Sequence, residues 1–157
     1  AAPPRGARPA ARSPLLRYPW EATRTALEAL RGDPDPSDGV LLRYTNPLTG
    51  GPVLPTLEAT IQLLAAGVRT APHRHVHSTV YQVFRGQGET VIDGTRFTWQ
   101  RGDIIAVPQW AAHDHRAIDT DAILFSITDA PVLEKLGLER VLTGDGPQDV
   151  TAEFDGV

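Results

Sequence analysis

The 157-residue chain contains no cysteine and no methionine. Without cysteine it has no disulfides, no thiolate metal ligands and no cysteine nucleophile, so a metal would have to bind histidine nitrogen or carboxylate oxygen. No apolar run approaches the roughly 20 residues needed to cross a bilayer, and no charged-then-apolar leader opens the sequence. We therefore expect a soluble cytoplasmic protein with no membrane partner. Because position 1 is alanine, we also expect a processed chain or a piece of a longer one.

Positive charge is scarce outside the start of the chain. Residues 1–31 hold six arginines against Glu21 and Glu28, a charge of +4. Because the net charge of the whole chain is −4, the remaining residues carry −8. Nucleic-acid-binding proteins need a basic face, and this acidic body predicts no nucleic-acid partner. The Pro-, Ala- and Arg-rich residues 1–14 are typical of a solvated linker.

The length indicates one domain with flanking segments. EATRTALEALR (residues 21–31) has the apolar spacing of a short amphipathic helix, ended by Gly32 and the loop GDPDPSDG. APVLEKLGLER, after Thr128, reads as a second short helix, followed by a polar tail. The predicted organisation is a linker-like arm (1–14), a helix and loop (15–39), a β-barrel (40–130), and a C-terminal helix and tail (131–157).

From Pro55 onward, short runs rich in Val, Ile, Thr, Tyr and Phe alternate with turns. The runs are TLEATIQLL, TAPHRHVH, TVYQVFR, ETVID, RFTWQ, DIIAVP, HDHRAI and DAILFSIT. About six to eight strands of this length predict an all-β sandwich or barrel. Asp93-Gly94 between two of the runs predicts a tight hairpin turn.

All five histidines lie between Gly67 and His115, in two groups. Side chains at positions i and i+2 of a strand share a face, so His73 and His75 are predicted to point into the barrel together. His113 lies on a later strand that follows Pro108. Three neutral imidazoles from two strands form a facial ligand set that leaves positions open for substrate and oxygen. The sequence therefore predicts a metal site at these three residues.

The other polar residues near this site are not predicted to be metal ligands. His115 shares a face with His113, so we expect it to bind a substrate oxygen or move a proton, or else to orient a ligand through a hydrogen bond. For His77 we expect a hydrogen-bonding or solvent-facing role rather than metal ligation. Asp114 alternates outward, and we expect it to be solvated.

Two aromatic residues are candidates for the wall of a substrate pocket. Tyr81 and Trp110 would offer flat faces to a ring, although aromatic residues in such positions also serve as plain core.

The spacing of the histidines resembles the two signature motifs of the cupin superfamily. Gly67, five residues and His73-x-His75 match the first motif, and Gly102, five residues, Pro108 and then His113 match the second. Cupins usually have a glutamate four residues after the second histidine and a glycine seven residues further. Here the glycine is Gly86 but the glutamate position is Thr79. The resemblance implies an all-β cupin fold, a double-stranded β-helix or jelly-roll barrel with short flanking helices, and a three-histidine site. A cupin barrel that keeps these histidines without binding metal is the competing interpretation.

Longer segments resemble one cupin family, the gentisate 1,2-dioxygenases. They are SPLLRYPWEATRTALEALR near the start, LLRYTNPLTGGPVLPT (41–56), VPQWAAHDH (107–115) and DAILFSITDAPVLEKLGLER (121–140). The resemblance implies a non-haem iron(II) enzyme that uses O2 to open gentisate to maleylpyruvate, with iron held by His73, His75 and His113. His115 matches a family histidine that contacts substrate. Arg74 and Arg85 are candidates to bind the substrate carboxylate by proximity alone.

One departure from the family leaves the function open. Family enzymes are bicupins about twice this long, and the chain resembles their C-terminal cupin. We therefore expect an exposed apolar surface where another cupin lobe, or a second copy, packs. The hypotheses are an iron(II) ring-cleaving dioxygenase lobe, a non-catalytic structural or oligomerising lobe with or without metal, and a cupin isomerase or binding module that uses a different metal. Three imidazoles suit iron, manganese, zinc or nickel, and gentisate, salicylate and hydroxynaphthoate offer the same carboxylate-hydroxyl chelate.

Overall fold

The computed structural model describes residues 15–154 and 156. The linker-like arm predicted for residues 1–14 lies outside the described residues. In chain order the elements are α1 Trp20–Ala29, β1 Val40–Arg43, β2 Glu58–Leu64, β3 His73–His75, β4 Thr79–Arg85, β5 Gln87–Ile92, β6 Thr95–Gln100, β7 Ile104–Val107, β8 His113–Ala117, β9 Ala122–Thr128, α2 Ala130–Lys135, β10 Val141–Thr143 and β11 Ala152–Glu153. The predicted all-β class is confirmed. Neither of these two helices has the length and apolar character to cross a membrane.

Two sheets enclose the core. One has the strand order β1-β2-β9-β4-β7 and the other β10-β3-β8-β5-β6-β11. Strand β4 shows why they pack: Thr79, Tyr81 and Val83 are buried, while the residues between them are exposed, as the two-residue period of a strand requires. The main apolar cluster joins β4 and β9 of the first sheet to Trp99 and Ala117 of the second. The core therefore lies between the sheets.

Helix α1 covers part of the outer face of the first sheet. Leu27 is buried in a second apolar cluster with Val40, Ile61, Leu63 and Ile123. The predicted helix over residues 21–31 is thus present, with its last residue at Ala29 and Leu30 as its C-cap.

The hairpin between β5 and β6 confirms the predicted Asp-Gly turn. Asp93 and Gly94 have φ angles of 45° and 81°, which two-residue hairpin turns require. The Asp93 carboxylate also accepts a hydrogen bond of 2.9 Å from the backbone N–H of Ala112. The turn therefore anchors the residue that immediately precedes His113.

Strand β8 lies between β3 and β5 and brings the two histidine groups together. His73 pairs directly with His113 across β3 and β8. On the other side of β8, Ile92 pairs with His113 and Thr90 with His115. The site is therefore built on hydrogen-bonded strands rather than on loops.

The C-terminal segment differs from the prediction. Helix α2 ends at Lys135, whereas the predicted helix ran on through residues 136–140. Strand β10 then pairs with β3 and β11 pairs with β6, in a region predicted as helix and tail. These strands have only three and two residues, all of them exposed. They lack the alternating burial that marks a strand in a sequence, and only their long-range pairing defines them.

Apolar side chains are exposed on the outer face of the first sheet. Val80, Ile104 and Ile127 are 49%, 70% and 42% exposed, and Val80 pairs with Ile127 across β4 and β9. We call these three residues the outer patch. It is an exposed apolar surface of the kind expected from the sequence, and packing of a second lobe or copy against it stays a prediction.

Gly88 allows β5 to pack closely against the backbone of β8 and the ring of Trp99. A Cβ at this position would clash with the carbonyl oxygen of Arg116 and with the indole ring of Trp99, whereas a Cβ at Gly32 would meet nothing within 4 Å. We expect Gly88→Ala to lower the free energy of unfolding by about 2 kcal/mol, because overpacking forces backbone and ring to shift. Urea denaturation measures this loss. Gly32→Ala is the matched control and should change stability little; equal effects of the two substitutions would contradict the packing argument.

Candidate metal centre

Three buried histidines converge on the paired strands β3 and β8. His73 and His75 on β3 and His113 on β8 each offer one ring nitrogen, and these nitrogens lie within 4.8 Å of one another. The ring centroids of His73 and His113 are 4.2 Å apart, and those of His75 and His113 are 4.8 Å apart. The structure thus brings together the three residues predicted as metal ligands.

Backbone carbonyls fix the orientation of all three rings. The Nδ1 atom of His73 lies 3.4 Å from the carbonyl oxygen of Ala71, that of His75 lies 2.8 Å from that of His77, and that of His113 lies 3.0 Å from that of Ala111. An Nδ1–H that donates to a carbonyl leaves Nε2 bare, which is the tautomer a metal needs.

The bare nitrogen of His113 is the observation that favours a metal. Its Nε2 atom is buried and has no hydrogen-bond partner among the residues that the structure describes. A buried polar atom left without a partner costs free energy, and a cation at this position would satisfy it. A neutral imidazole is also the form that binds metal. Burial lowers the pKa of His75 to about 4, and burial, with the neighbouring histidines adding to it, lowers the pKa of His113 even further. These residues therefore fit a divalent ion.

A cavity of about 180 Å³ opens beside the histidines. It is smaller than the roughly 300–1,000 Å³ of pockets for drug-sized ligands, so it suits a compact molecule. Tyr81 and Thr79 contribute to its wall. Its charged lining consists of four carboxylates and one arginine, Asp38, Glu58, Glu134, Glu139 and Arg43. Carboxyl groups thus outnumber the one arginine in the lining, and burial raises the pKa of Asp38, Glu58 and Glu139.

Asp38 is a neighbour of the site that neither histidine motif predicts. Its Oδ1 atom lies 3.9 Å from Nε2 of His73. The Asp35 carboxylate accepts hydrogen bonds from the backbone N–H groups of Ser37 and Asp38, at 2.7 and 3.2 Å, and so shapes the loop. Gly39 follows with a φ angle of 69°. In the sequence, GDPDPSDG indicates only a loop, and nothing there signals its proximity to the histidines.

His115 lies where the strand alternation predicts, on the same side of β8 as His113. Its ring centroid is 5.7 Å from that of His113 and 4.8 Å from that of Tyr81. The Nδ1 atom lies 2.8 Å from the hydroxyl oxygen of Thr90, and Nε2 is buried with no hydrogen-bond partner within residues 15–154 and 156. Burial lowers the pKa of His115 to about 3, so the ring is neutral near pH 7. Its role toward substrate stays a prediction.

Arg74 and Trp110 lie apart from the cavity. Arg74 sits between the two histidines of β3, so its side chain leaves the opposite face, and its guanidinium lies 5.8 Å from the centroid of the Trp110 ring. Trp110 is 42% exposed. Neither residue, nor Arg85 at the end of β4, lines the cavity, whereas Arg43 does. Of the four predicted substrate-binding residues, the structure thus brings Tyr81 to the cavity wall, whereas Arg74 and Trp110 do not line it and His115 is buried behind it.

His77 supports the site without facing its centre. Its ring stacks on that of His75, with centroids 3.6 Å apart and planes 8° apart. Its Nδ1 atom lies 2.8 Å from a carboxylate oxygen of Glu139, and its carbonyl accepts the hydrogen bond that orients His75. This arrangement matches the predicted hydrogen-bonding role.

The prediction that Asp114 is solvated is wrong. It does point away from His113 and His115, but its exposed fraction is 0%. Arg69 donates a short hydrogen bond to its carboxylate, and Gln148 donates another of 3.0 Å. The loop before β3 and the C-terminal segment thus cover the outer side of β8. Strand alternation gives the direction of a side chain but not what covers it.

Comparisons with known proteins point in one direction. The family model described as a cupin domain matches residues 60–128. The chain is 47% identical to a 5-aminosalicylate 1,2-dioxygenase of Comamonas sp. over 148 residues, which are 90% of this chain and 40% of that protein. It is 41% identical to gentisate 1,2-dioxygenase 1 of Aquipseudomonas alcaligenes over 130 residues, covering 82% of this chain and 37% of that protein.

Solved structures agree with these relatives. The crystal structure of a salicylate 1,2-dioxygenase from Pseudaminobacter salicylatoxidans superposes with a TM-score of 0.79 at 36% identity, covering 88% of this chain and 41% of that one. The chain thus spans about 40% of the length of these relatives. The predicted cupin fold and the resemblance to gentisate dioxygenases are confirmed. The chain therefore belongs to the cupin family, and its relatives there are 1,2-dioxygenases of gentisate, salicylate and 5-aminosalicylate.

Proposed function

We propose that this chain is the metal-binding lobe of a ring-cleaving dioxygenase that uses O2 to open gentisate, or a related 2-hydroxybenzoate, with maleylpyruvate as the product from gentisate. The observation that carries the proposal is the set of three buried imidazoles whose Nδ1 atoms are held by carbonyls. Relatives that include 1,2-dioxygenases of three hydroxybenzoates, 5-aminosalicylate, gentisate and salicylate, support the reaction class.

His73, His75 and His113 would hold the metal, which we propose is iron(II). Iron bound by three neutral imidazoles keeps coordination positions open and supplies the redox chemistry that links an aromatic ring to dioxygen. The protein contributes orientation: both strands that carry the ligands are hydrogen-bonded to each other, so little ordering remains when the ion binds.

We propose that Asp38 supplies the negative charge that the three neutral ligands lack: burial raises the pKa of its carboxyl group, and a cation held by the histidines would favour the charged form. Most cupins place a carboxylate where this chain has Thr79, and Asp38 approaches the same site from the loop before β1. Donor atoms that share one ion at about 2.1 Å lie at most about 4.2 Å apart. The separation of 3.9 Å between Asp38 Oδ1 and His73 Nε2 is within that limit, but among the described residues the converging set is the three histidines. Asp38 would therefore act on a bound cation through its charge rather than as a ligand.

Arg43 is the residue we propose for the substrate carboxylate. It is the arginine that lines the cavity, and guanidinium groups bind carboxylates in a planar, paired geometry. Its side chain is 60% exposed and pairs with the Glu58 carboxylate over 3.7 Å, and such a long, largely exposed ion pair is weak enough for a substrate carboxylate to replace it. Tyr81 and His115 would border the ring, and Tyr81 stays a neutral phenol because burial raises its pKa.

The central test is metal-dependent oxygen consumption. The chain loaded anaerobically with iron(II) should bind about one ion and consume oxygen when gentisate is added. His113→Ala removes one of three ligands, so we expect both metal retention and oxygen uptake to be lost, by more than the roughly 10–100-fold that follows loss of a ligand's hydrogen-bond partner. Elemental analysis and an oxygen electrode measure the two quantities.

The outcomes of this experiment separate the hypotheses. Stoichiometric metal without oxygen uptake on any 2-hydroxybenzoate would contradict catalysis by this chain and favour a structural lobe that packs through the outer patch. Absence of metal in the wild type, with His113→Ala equally stable, would contradict the metal site itself.

A second prediction concerns Asp38. Asp38→Asn keeps the shape of the side chain and removes its charge, so we expect metal affinity to fall by about 10-fold or more. Glu58→Gln removes the same charge from the same cavity at a residue paired with Arg43 and should weaken binding less. Isothermal titration with zinc, which needs no anaerobic handling, measures both. Equal losses would mean that the cavity's total charge, rather than the position of Asp38, governs affinity.

The stability of the metal-free chain should depend on pH. Folding lowers the pKa of His75 to about 4 and of His115 to about 3, whereas an unfolded histidine titrates near about 6.5. As the pH falls below that value the unfolded chain binds protons first, so the free energy of unfolding decreases by up to about 1.4 kcal/mol per pH unit for each such histidine. Urea midpoints at several pH values between 7.5 and 5 measure the slope. A flat profile would show that the histidines are not buried without metal.

A further inference from the structure

A buried hydrogen-bonded chain runs from Trp99 through Thr90 to His115. The indole Nε1 of Trp99 donates to the Thr90 hydroxyl oxygen over 2.8 Å, and the same oxygen lies 2.8 Å from Nδ1 of His115. Trp99 is 4% exposed and the other two residues are fully buried. All three groups are therefore shielded from bulk water, and their hydrogen bonds are made to the protein's own atoms.

The proton on His115 has two alternative positions. An indole N–H only donates, and a hydroxyl has one hydrogen and two lone pairs. If Nδ1 of His115 carried the proton, Thr90 would accept twice and its own hydrogen would have no acceptor among the described residues. The bare Nε2 atom would also lack a partner, as it does in the structure. If instead the Thr90 hydroxyl donates to Nδ1, only the Nε2–H group is left unpaired. Since each unpaired buried polar group costs free energy, the second arrangement is favoured.

We propose that Trp99 and Thr90 hold His115 as the Nε2–H tautomer, so that His115 is a hydrogen-bond donor and not a metal ligand. His115 differs from His113, two residues earlier on β8, in the group that its Nδ1 atom contacts. A carbonyl accepts from Nδ1 of His113 and leaves its Nε2 bare. A hydroxyl that must donate reverses the tautomer of His115. Thr90 and Trp99 are thus positioning residues that act through His115.

This assignment gives His115 a chemical task beside the metal ligands. A neutral N–H fixed in a dry site stabilises negative charge that develops on an oxygen, since it needs no reorganisation and competes with no water. That use, toward an oxygen of substrate or dioxygen, rests on the proposed function. The tautomer itself does not depend on the reaction.

Nitrogen NMR of the full chain, labelled with 15N-histidine and loaded with diamagnetic zinc, tests the tautomer directly. Long-range 1H–15N correlations distinguish a protonated ring nitrogen from a bare one. We expect His115, identified by the signals lost in His115→Gln, to carry its proton on Nε2, whereas the rings of His73, His75 and His113 carry theirs on Nδ1. A proton on Nδ1 of His115 would overturn the proposal.

Variants of Thr90 test whether its hydroxyl group sets the tautomer of His115. Thr90→Ser keeps the hydroxyl and should keep the Nε2–H pattern, while Thr90→Val removes it and should give the Nδ1–H form or a mixture. An unchanged pattern in Thr90→Val would overturn the role of Thr90. In the iron-loaded chain, Thr90→Val should lower kcat by roughly 100-fold, the scale for loss of one donor to a developing oxyanion, with metal content unchanged and Thr90→Ser close to wild type. If the wild type shows the Nε2–H pattern but no oxygen uptake, the tautomer stands and the proposed function fails.

Discussion

The metal centre depends on the backbone pairing of β8 with β3 on one side and β5 on the other. That pairing sets His73 opposite His113 and Thr90 opposite His115. Because side chains alternate along a strand, a slip of one residue would turn both histidines of β8 outward and bring Asp114 into the barrel. The ion pair of Asp114 with Arg69 on the outer side opposes such a slip. This register thus sets the positions of three residues of β8 together: the proposed metal ligand His113, its neighbour His115 and the buried carboxylate of Asp114.

Features with a short sequence period could be predicted, and features that depend on distant segments could not. The alternation in TVYQVFR, the Asp93-Gly94 turn and the spacing of the histidine motifs gave the barrel and the three converging imidazoles, because each is local. Asp38 and Arg43 line the cavity from the start of the barrel, and their place beside the histidine strand exists only after β1 and β3 are placed in the fold. The burial of Asp114 likewise depends on a loop and a tail far away in the sequence.

The charge of the cavity would give a bound metal ion a second role, in substrate binding. Its lining has four carboxylates and one arginine around neutral imidazoles, a setting that repels an anionic ligand. A divalent cation would offset half of these negative charges at the point where a hydroxybenzoate carboxylate has to bind. Substrate binding would then require the metal for electrostatic reasons as well as for its redox chemistry, and Arg43 alone would be a weak substitute.

The C-terminal segment is the outer support of the site. Strand β10 covers the free edge of β3, with Val141 opposite His75 and Thr143 opposite His73. Glu139, just before it, holds the ring of His77, and Gln148, beyond it, bonds the Asp114 carboxylate. The tail thereby protects a strand edge that would otherwise be open to another chain. A protease cut in the exposed stretch between α2 and β10 would allow β10 to leave β3, loosening the metal ligands and exposing an unpaired strand edge together, so metal loss and aggregation would have a common cause.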